Sequence, residues 1–299
     1  MTTLKQAPRK APKVKNPEYD FKWCPGCGDF GVRRAVEMAI RERAVRDEAP
    51  LTETVIVAGI GCSGNLVHLV EGEQPFGIHG VHGRTLPQAF GIKMARPELS
   101  VLVVAGDGDF LSIGGEHIVP QAQRNLDVCA VIMDNGVYGL TKGQSSPTTD
   151  LGVKTSSTPY GKIEGSVDPL DLYLTGGASF IASGFSGKPK DLASLIVQGM
   201  DHKGFSIVHI QSPCTEYNDT YELLKGNAKQ GIKPALWPLP EDYDPSDRES
   251  AYRAIHEPGI PVGVLYKDPD STPMQDRQDE IRGKARQRPL SKLLDSFRV

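Results

Sequence analysis

The chain has 299 residues, of which 38% are hydrophobic and 24% are charged, and its formal net charge is −3. This length allows one large domain or two smaller ones. The slightly acidic balance argues against a nucleic-acid-binding protein. No apolar run approaches the roughly 18–20 residues that cross a bilayer, so we expect no membrane span.

The amino terminus, residues 1–16, is rich in Lys, Arg and Pro and lacks the apolar stretch of a secretory signal. We expect a flexible basic tail, and packing along a partner chain is the alternative. The protein is therefore expected to be cytoplasmic, where thiols stay reduced. Its five cysteines are then metal ligands or core residues in preference to disulfides.

Hydrophobic patterning predicts an α/β fold. Four short apolar runs are typical of buried strands in a parallel sheet: Thr54–Ala58, Ser100–Ala105, Val128–Met133 and Ser206–Gln211. Helices are predicted over four further segments: Val32–Asp47, Thr85–Ala95, Gly114–Arg124 and Pro189–Gly199. This alternation predicts a doubly wound, mostly parallel sheet with helices on both faces.

The composition changes at about Lys229. Frequent prolines follow and are expected to interrupt any long element, while Met274–Val299 is highly charged and expected to be partly helical. We interpret residues 229–299 as a C-terminal extension that packs on the core or on a partner, and residues 17–228 as the main domain.

Four of the cysteines are predicted to converge. Cys24 and Cys27 lie in a tight Pro/Gly turn, a spacing that suits zinc, a redox dithiol or an iron–sulfur cluster. Cys62 and Cys214 each follow a predicted strand, and the carboxyl ends of strands line one crevice in open α/β sheets. Four thiols at one edge suit a structural zinc or a cluster. Cys129 lies inside an apolar run and is expected to be a buried core thiol.

A second constellation predicts a diphosphate site. The strand Ser100–Ala105 runs into Gly106-Asp107-Gly108-Asp109, where glycines let the backbone approach a bulky anion. Asp107 supplies a hard oxygen ligand for Mg²⁺. Asn135 follows 28 positions later, after one helix and a return strand. The two side chains are therefore expected at neighbouring strand ends, and together they match the diphosphate-binding motif of thiamine-diphosphate enzymes.

Across roughly residues 17–225, the chain closely resembles the β subunits of 2-oxoacid:ferredoxin oxidoreductases. The resemblance is carried by six motifs in one order: WCPGCGDFG (23–31), GIGCS (59–63), HGVHGR (79–84), GDGD (106–109), DNGVYGLTKGQ (134–144) and SPC (212–214). It implies an α/β sheet of the thiamine-diphosphate-binding type in residues 17–228, with a C-terminal extension beyond. It also favours an iron–sulfur cluster over zinc.

The resemblance implies roles for individual residues. A [4Fe–4S] cluster would be held by Cys24, Cys27, Cys62 and Cys214. Magnesium would be bound by Asp107, Asn135 and the backbone carbonyl of Val137. The expected contacts of thiamine diphosphate are Gly61, Cys62, Ser63, His82, Gly108, Asp109, Gly139 and Leu140. His82 is the expected catalytic residue at the cofactor, and Arg84 is expected to orient its turn.

The implied activity is coenzyme A-dependent oxidative decarboxylation of a 2-oxoacid with electron transfer to ferredoxin, or the reverse reaction. Only one diphosphate-binding half is recognisable in the sequence. The resemblance therefore implies an α subunit that supplies the glutamate at the cofactor's aminopyrimidine, in an (αβ)2 heterotetramer.

The expected substrate depends on one departure from the family pattern. Asn65 occupies a position that lies near the substrate in the family and is often basic there. Asn can hydrogen-bond a distal carboxylate, so we expect 2-oxoglutarate, with pyruvate or a broad 2-oxoacid range as the alternative. Two other classes stay open: a non-oxidative thiamine-diphosphate decarboxylase, which needs no cysteine cluster, and a zinc-stabilised binding module, which needs no magnesium motif.

Overall fold

The structure is a computed structural model that describes residues 23–284 and 289–298. The predicted basic tail, residues 1–16, lies outside the described residues. The central feature is an eight-stranded sheet. Its strands are β1 (Thr54–Ala58), β2 (Phe76–His79), β3 (Ser100–Gly106), β4 (Val128–Asp134), β7 (Phe180–Phe185), β8 (Phe205–Gln211), β9 (Leu236–Pro238) and β10 (Ile260–Lys267). A separate hairpin pairs β5 (Val137–Tyr138) with β6 (Gln144–Ser145).

The strand order in the sheet is β2-β1-β3-β4-β8-β7-β10-β9. Every neighbouring pair is parallel except β7 and β10. The helices are α1 (Asp29–Arg46), α2 (Leu66–Leu69), α3 (Thr85–Ala95), α4 (Ile118–Arg124), α5 (Pro169–Gly176), α6 (Pro189–Asp201), α7 (Tyr221–Lys225), α8 (Arg248–His256), α9 (Met274–Lys284) and α10 (Leu290–Asp295). The α/β, doubly wound, mostly parallel sheet is therefore confirmed.

Residues of each strand alternate between two hydrophobic cores, one on each face of the sheet. In β1, Val55 and Val57 pack in the core that also contains α3, α4, α5 and α8. Ile56 and Ala58 pack in the opposite core, with α1, α2 and α6. Burial on both faces explains why the strands are continuous apolar runs in the sequence.

The four predicted strands and four predicted helices are present, with boundaries that shift by a few residues. The largest shift is at Gly114–Arg124, where a short 3₁₀ turn (Gly115–His117) precedes α4. Sequence patterning missed the other four strands of the sheet: β2, β7, β9 and β10. In β7 the apolar run is interrupted by Ser183 and Gly184, which are nevertheless buried because helices cover both faces of the strand. Helix α6 covers the face that carries Gly184, and Ser183 lies on the opposite face.

The segment after Lys229 extends the sheet. Helix α8 begins after Asp247, whose carboxylate accepts the backbone N–H groups of Glu249 and Ser250. Its buried face contributes to the core of the sheet. The expectation that prolines interrupt every long element here was too strict, because β10 runs for eight residues through Pro261. That proline is the second residue of the strand and lies beside the three-residue edge strand β9, where a missing N–H costs little.

The strand order places a ligand crevice beside β1. Strand β1 lies between β2 and β3, so the chain leaves it towards one side and returns on the other. In open α/β sheets, ligands bind outside the carboxyl ends of strands at such a switch point. Cys62 follows β1 and Asp107 follows β3, which brings both predicted sites to this crevice. Within residues 23–284 and 289–298, no helix is both long and apolar enough to traverse a bilayer.

Candidate cofactor site

A cavity of about 90 Å³ lies at the carboxyl ends of β1, β3 and β4. It is lined by Ile60, Gly61, Cys62, Ser63, His82, Gly106, Asp107, Gly108, Asp109, Asn135, Val137, Tyr138, Gly139, Leu140 and Thr141. Every predicted thiamine-diphosphate contact and all three predicted magnesium ligands are among these residues. Asn65, the predicted substrate residue, is buried in the 3₁₀ turn after Cys62 and does not line this cavity.

Asp107 lies beside a second buried carboxylate. It follows strand β3 and is 1% exposed, and Asp134 ends the neighbouring strand β4. The Thr148 hydroxyl lies 2.8 Å from Oδ2 of Asp107 and 2.8 Å from Oδ1 of Asp134. Because the hydroxyl has a single proton, it can donate a hydrogen bond to only one of the two carboxylates at a time. Burial, and next the charge of Asp134, raise the pKa of Asp107 above its usual range. Asp107 lines the cavity, and a divalent cation there would relieve the repulsion between this buried carboxylate and its neighbour Asp134, so Asp107 fits Mg²⁺.

The loop after β4 is held in place around Asn135. The backbone N–H of Asn135 lies 3.5 Å from Oδ1 of Asp107, and the side-chain Oδ1 of Asn135 accepts the N–H of Val137 at 3.0 Å. Asn218 donates to the backbone carbonyl of Asn135 at 2.8 Å. Gly136 has a φ of +70°, a conformation that favours glycine, and donates its N–H to Asp134. The loop therefore presents an amide and backbone groups beside the Asp107 carboxylate.

Two glycines leave room that larger residues would fill. A Cβ atom added to Gly108 would lie 2.3 Å from Cε1 of Tyr138. A Cβ atom added to Gly139 would lie 3.5 Å from Sγ of Cys62, 3.8 Å from Sγ of Cys214 and 3.9 Å from Nδ2 of Asn135. The backbone of Gly139 thus lies between two of the predicted cluster ligands and a predicted magnesium ligand. The two predicted cofactor sites adjoin.

The Asp109 carboxylate orders two loops of the cavity. Its Oδ1 accepts the backbone N–H groups of Ile60 at 3.1 Å and Gly83 at 2.8 Å, and it also contacts Nδ1 of His82. This contact assigns the His82 proton to Nδ1 and leaves Nε2 as an acceptor. Oδ2 of Asp109 is buried and has no hydrogen-bond partner among the described residues. Sequence reasoning predicted a cofactor contact here and missed this structural role.

Arg84 contacts the same turn. Its guanidinium donates to the carbonyls of Gly83 at 3.1 Å and Ile113 at 2.7 Å, and it forms an ion pair with Glu116 at 3.2 Å. These contacts tie the turn that carries His82 to the segment after Gly108. They agree with the orienting role expected for Arg84.

The four predicted cluster cysteines lie close together. Cys24 is exposed, Cys27 and Cys62 are half-buried, and Cys214 is buried. Burial is the main cause that raises the pKa of the Cys27 and Cys62 thiols, and the charges of other cysteines in the group raise both further. The pKa of Cys62 reaches about 12. Cys129 lies in the core, as predicted.

Hydrogen bonds join the three segments that carry these cysteines. The indole N–H of Trp23 donates to the carbonyl of Cys62 at 2.8 Å, and the N–H of Gly28 donates to the carbonyl of Pro213 at 3.0 Å. In the part of the chain that the structure describes, no group of three or more His, Cys, Asp or Glu side chains can hold a single metal ion. The two hydrogen bonds hold the cysteine-bearing segments against one another at the carboxyl edge of the sheet.

Three polar residues of the site were not singled out from the sequence. Asp134 and Thr148 flank Asp107, and Asp29 lies beneath the cysteines. Asp134 and Asp29 belong to the quoted motifs, but the sequence does not show that their carboxylates are buried. That burial is what marks them as part of the site. Thr148 lies 41 positions from Asp107 in an irregular segment, and no local pattern identifies it.

Comparisons with known proteins agree with this geometry. Residues 59–210 match the family described as thiamine pyrophosphate enzyme, C-terminal TPP binding domain. Residues 224–283 match a second family, described as the C-terminal part of the beta subunit of pyruvate ferredoxin oxidoreductase.

Several known proteins are similar over most of their length. The β subunit of a 2-oxoacid:ferredoxin oxidoreductase from Saccharolobus solfataricus is 41% identical over 253 residues, covering 82% of this chain and 81% of the relative. The 2-oxoglutarate synthase subunit KorB of Archaeoglobus fulgidus is 38% identical, covering 75% and 82%. A solved structure, 2-oxoglutarate:ferredoxin oxidoreductase from Magnetococcus marinus with 2-oxoglutarate, coenzyme A and succinyl-CoA bound, has a TM-score of 0.84 at 35% identity and covers 97% of this chain and 99% of its own. The chain therefore belongs to the β subunits of the 2-oxoacid:ferredoxin oxidoreductases, enzymes that act with a partner α subunit.

Proposed function

We propose that this chain binds Mg²⁺ and thiamine diphosphate in the cavity beside β1 and β3. The observation that carries the proposal is that Asp107, Asn135 and Cys62 line one cavity. Asp107, Asn135 and the carbonyl of Val137 hold the ion, and the residues after Asp107 contact the diphosphate through backbone N–H groups that the glycine leaves accessible. When bound, thiamine diphosphate supplies the electron sink for loss of CO₂ from a 2-oxoacid.

Cys24, Cys27, Cys62 and Cys214 hold one [4Fe–4S] cluster in this proposal, which supplies a one-electron carrier when bound. Gly139 allows the two cofactors to lie next to each other, because it has no side chain to occupy the space near Cys62 and Asn135. Asp109 contacts Nδ1 of His82, which lines the cavity, and this leaves Nε2 as the ring nitrogen that can accept a hydrogen bond. Gly61, Ser63, Gly139 and Leu140 complete the wall that excludes water around the cofactor.

The size of the cavity supports a composite active site. About 90 Å³ is far below the roughly 300–1,000 Å³ of a cleft that encloses a ligand of this size. We therefore propose that an α chain covers the other side of the cofactor and supplies the glutamate at the aminopyrimidine, in an (αβ)2 assembly. Coenzyme A accepts the acyl group and ferredoxin accepts the electrons.

The proposed substrate is 2-oxoglutarate, with succinyl-CoA and CO₂ as products. The support is the similarity to KorB subunits and to the solved structure that holds 2-oxoglutarate and succinyl-CoA. Asn65, on which the sequence-based expectation depended, is buried outside the cavity and lends this proposal no support. Pyruvate or a broad range of 2-oxoacids is the alternative, because the relative from Saccharolobus solfataricus is named for 2-oxoacids in general.

One experiment separates these functions. The αβ complex is purified anaerobically, its iron, sulfide and zinc are measured, and viologen reduction is followed with coenzyme A and either 2-oxoglutarate or pyruvate. We expect iron and sulfide at four per β chain, a broad absorbance band that 2-oxoglutarate with coenzyme A bleaches, and faster turnover with 2-oxoglutarate. Faster turnover with pyruvate would overturn the substrate, CO₂ release without viologen reduction would indicate a non-oxidative decarboxylase, and stoichiometric zinc in a colourless complex would indicate the binding module.

The cysteines provide matched variants for the same experiment. Replacing Cys62 with Ala removes a proposed cluster ligand, and we expect the iron content and viologen reduction to fall to background. Replacing Cys129 with Ala removes a thiol from the core and is expected to leave the iron content unchanged. Equal iron in both variants would contradict the assignment of Cys62.

A further inference from the structure

Asp29 is a buried carboxylate beneath the four cysteines. It is the first residue of α1 and has no solvent-exposed surface. Its Oδ1 accepts the hydroxyl of Ser212 at 2.6 Å, and its Oδ2 lies 3.5 Å from the hydroxyl of Ser63. None of the ion pairs among the described residues includes it, so no basic side chain neutralises its charge.

The partners of Asp29 connect it to three of the cysteines. Asp29 itself follows Cys27 by two positions, Ser63 directly follows Cys62, and Ser212 precedes Cys214 by two positions. One carboxylate therefore contacts the segments that carry three of the four thiols.

We propose that Asp29 is a positioning residue that lowers the reduction potential of the iron–sulfur cluster. The inference rests on the iron–sulfur cluster proposed above and concerns its reduction potential, which the four cysteine ligands alone do not determine. Reduction adds one electron to a centre that four thiolates already make negative. An unneutralised carboxylate in the low-dielectric interior raises the free energy of the reduced state more than that of the oxidised state. A low potential favours onward transfer of the electron to an acceptor protein.

The test is a redox titration of the αβ complex with Asp29 replaced by Asn. Asn has nearly the same shape and still accepts the Ser212 hydroxyl through its carbonyl oxygen, so the fold is retained while the charge is lost. Iron per β chain is measured first, and we expect it to be unchanged. At a fixed potential near the midpoint, we expect the ratio of reduced to oxidised cluster to rise about tenfold, which is a positive shift of about 59 mV for a one-electron couple.

The matched control is Asp47→Asn, which removes the same charge from the other end of the same helix, where Asp47 is exposed. We expect its titration curve to overlay that of the wild type. An Asp29→Asn complex with full iron and an unshifted midpoint would overturn the proposal. Lack of iron in the wild-type complex would instead refute the proposed cluster.

A second neutral variant covers the case in which Asn disturbs cluster assembly. Asp29→Ser is smaller and is also uncharged, and we expect the same positive shift. Loss of iron from both neutral variants, with retention in Asp29→Glu, would overturn the potential-setting role because the carboxylate would then serve assembly alone.

Discussion

The backbone N–H of Asn135 lies 3.5 Å from Oδ1 of Asp107, although 28 positions separate the two residues in the sequence. They meet because β3 and β4 are adjacent parallel strands that end together, with Gly106 paired to Met133. The same edge brings Cys62 into the cavity from the end of β1. One edge of one sheet therefore serves both proposed cofactors, and its individual residues can be tested separately.

Replacing Asp107 with Asn should weaken binding of magnesium and thiamine diphosphate. Loss of the buried carboxylate removes the charged ligand of the ion, which typically costs about 2–5 kcal/mol, so we expect Kd for the cofactor to rise by about 100-fold. Calorimetric titration of the cofactor-depleted αβ complex measures it. Asp150→Asn, at an exposed position, is the control and should leave Kd unchanged. An unaltered Kd in the Asp107 variant would remove this residue from the metal site.

Replacing Gly108 with Ala should obstruct the diphosphate. The added Cβ would lie 2.3 Å from the Tyr138 ring, so the ring or the turn must move into the cavity. We expect at least a tenfold loss of cofactor affinity, equivalent to about 1.4 kcal/mol. Gly115→Ala, in the neighbouring turn, is a matched control because its Cβ would meet nothing within 4 Å. Equal affinities of the two variants would show that space at Gly108 is unimportant.

Replacing Asp109 with Asn should impair catalysis without removing the cofactor. The amide cannot hold Nδ1–H of His82 and both backbone N–H groups as the carboxylate does, so His82 loses its assigned tautomer. We expect kcat to fall about 100-fold, within the range for a misplaced acid–base group, while cofactor content stays near one per chain. His256→Gln, at an exposed histidine, should retain full activity. Retained kcat in the Asp109 variant would exclude this role.

His202 should make stability depend on pH, far from the cofactor site. Burial lowers its pKa from 6.5 to about 4, and its Nε2 contacts Ser179 at 2.9 Å. Because the folded state binds the proton more weakly than the unfolded state, this contribution to stability is present above pH 6.5 and is lost between pH 6.5 and 4.

Thermal unfolding of the αβ complex across this pH range checks the effect of His202. The variant His202→Gln should show a smaller fall in Tm between pH 6.5 and 4 than the wild type. His256→Gln serves again as the control, because His256 is exposed. Parallel Tm curves for wild type and the His202 variant would contradict the prediction.

Much of the architecture was predictable because its signals are local. Continuous apolar runs identify β1, β3, β4 and β8, since strands buried on both faces carry no polar alternation. Strand β7 escaped prediction because Ser183 and Gly184 interrupt its run, and their burial depends on helices that pack on both faces of the strand. Strand β10 escaped because Pro261 suggested a break.

The sequence by itself determined which residues gather at the cavity. Short segments of sequence identify the strand ends and the glycine turns, and parallel strands bring their carboxyl ends to one edge of the sheet. The tertiary structure alone decided how those residues are supported. Asp134 and Thr148 reach Asp107, and Ser212 reaches Asp29 across 183 positions, through contacts that no periodicity encodes. The physical reason is that burial and hydrogen-bond partnership of a polar side chain depend on which distant segments pack against it.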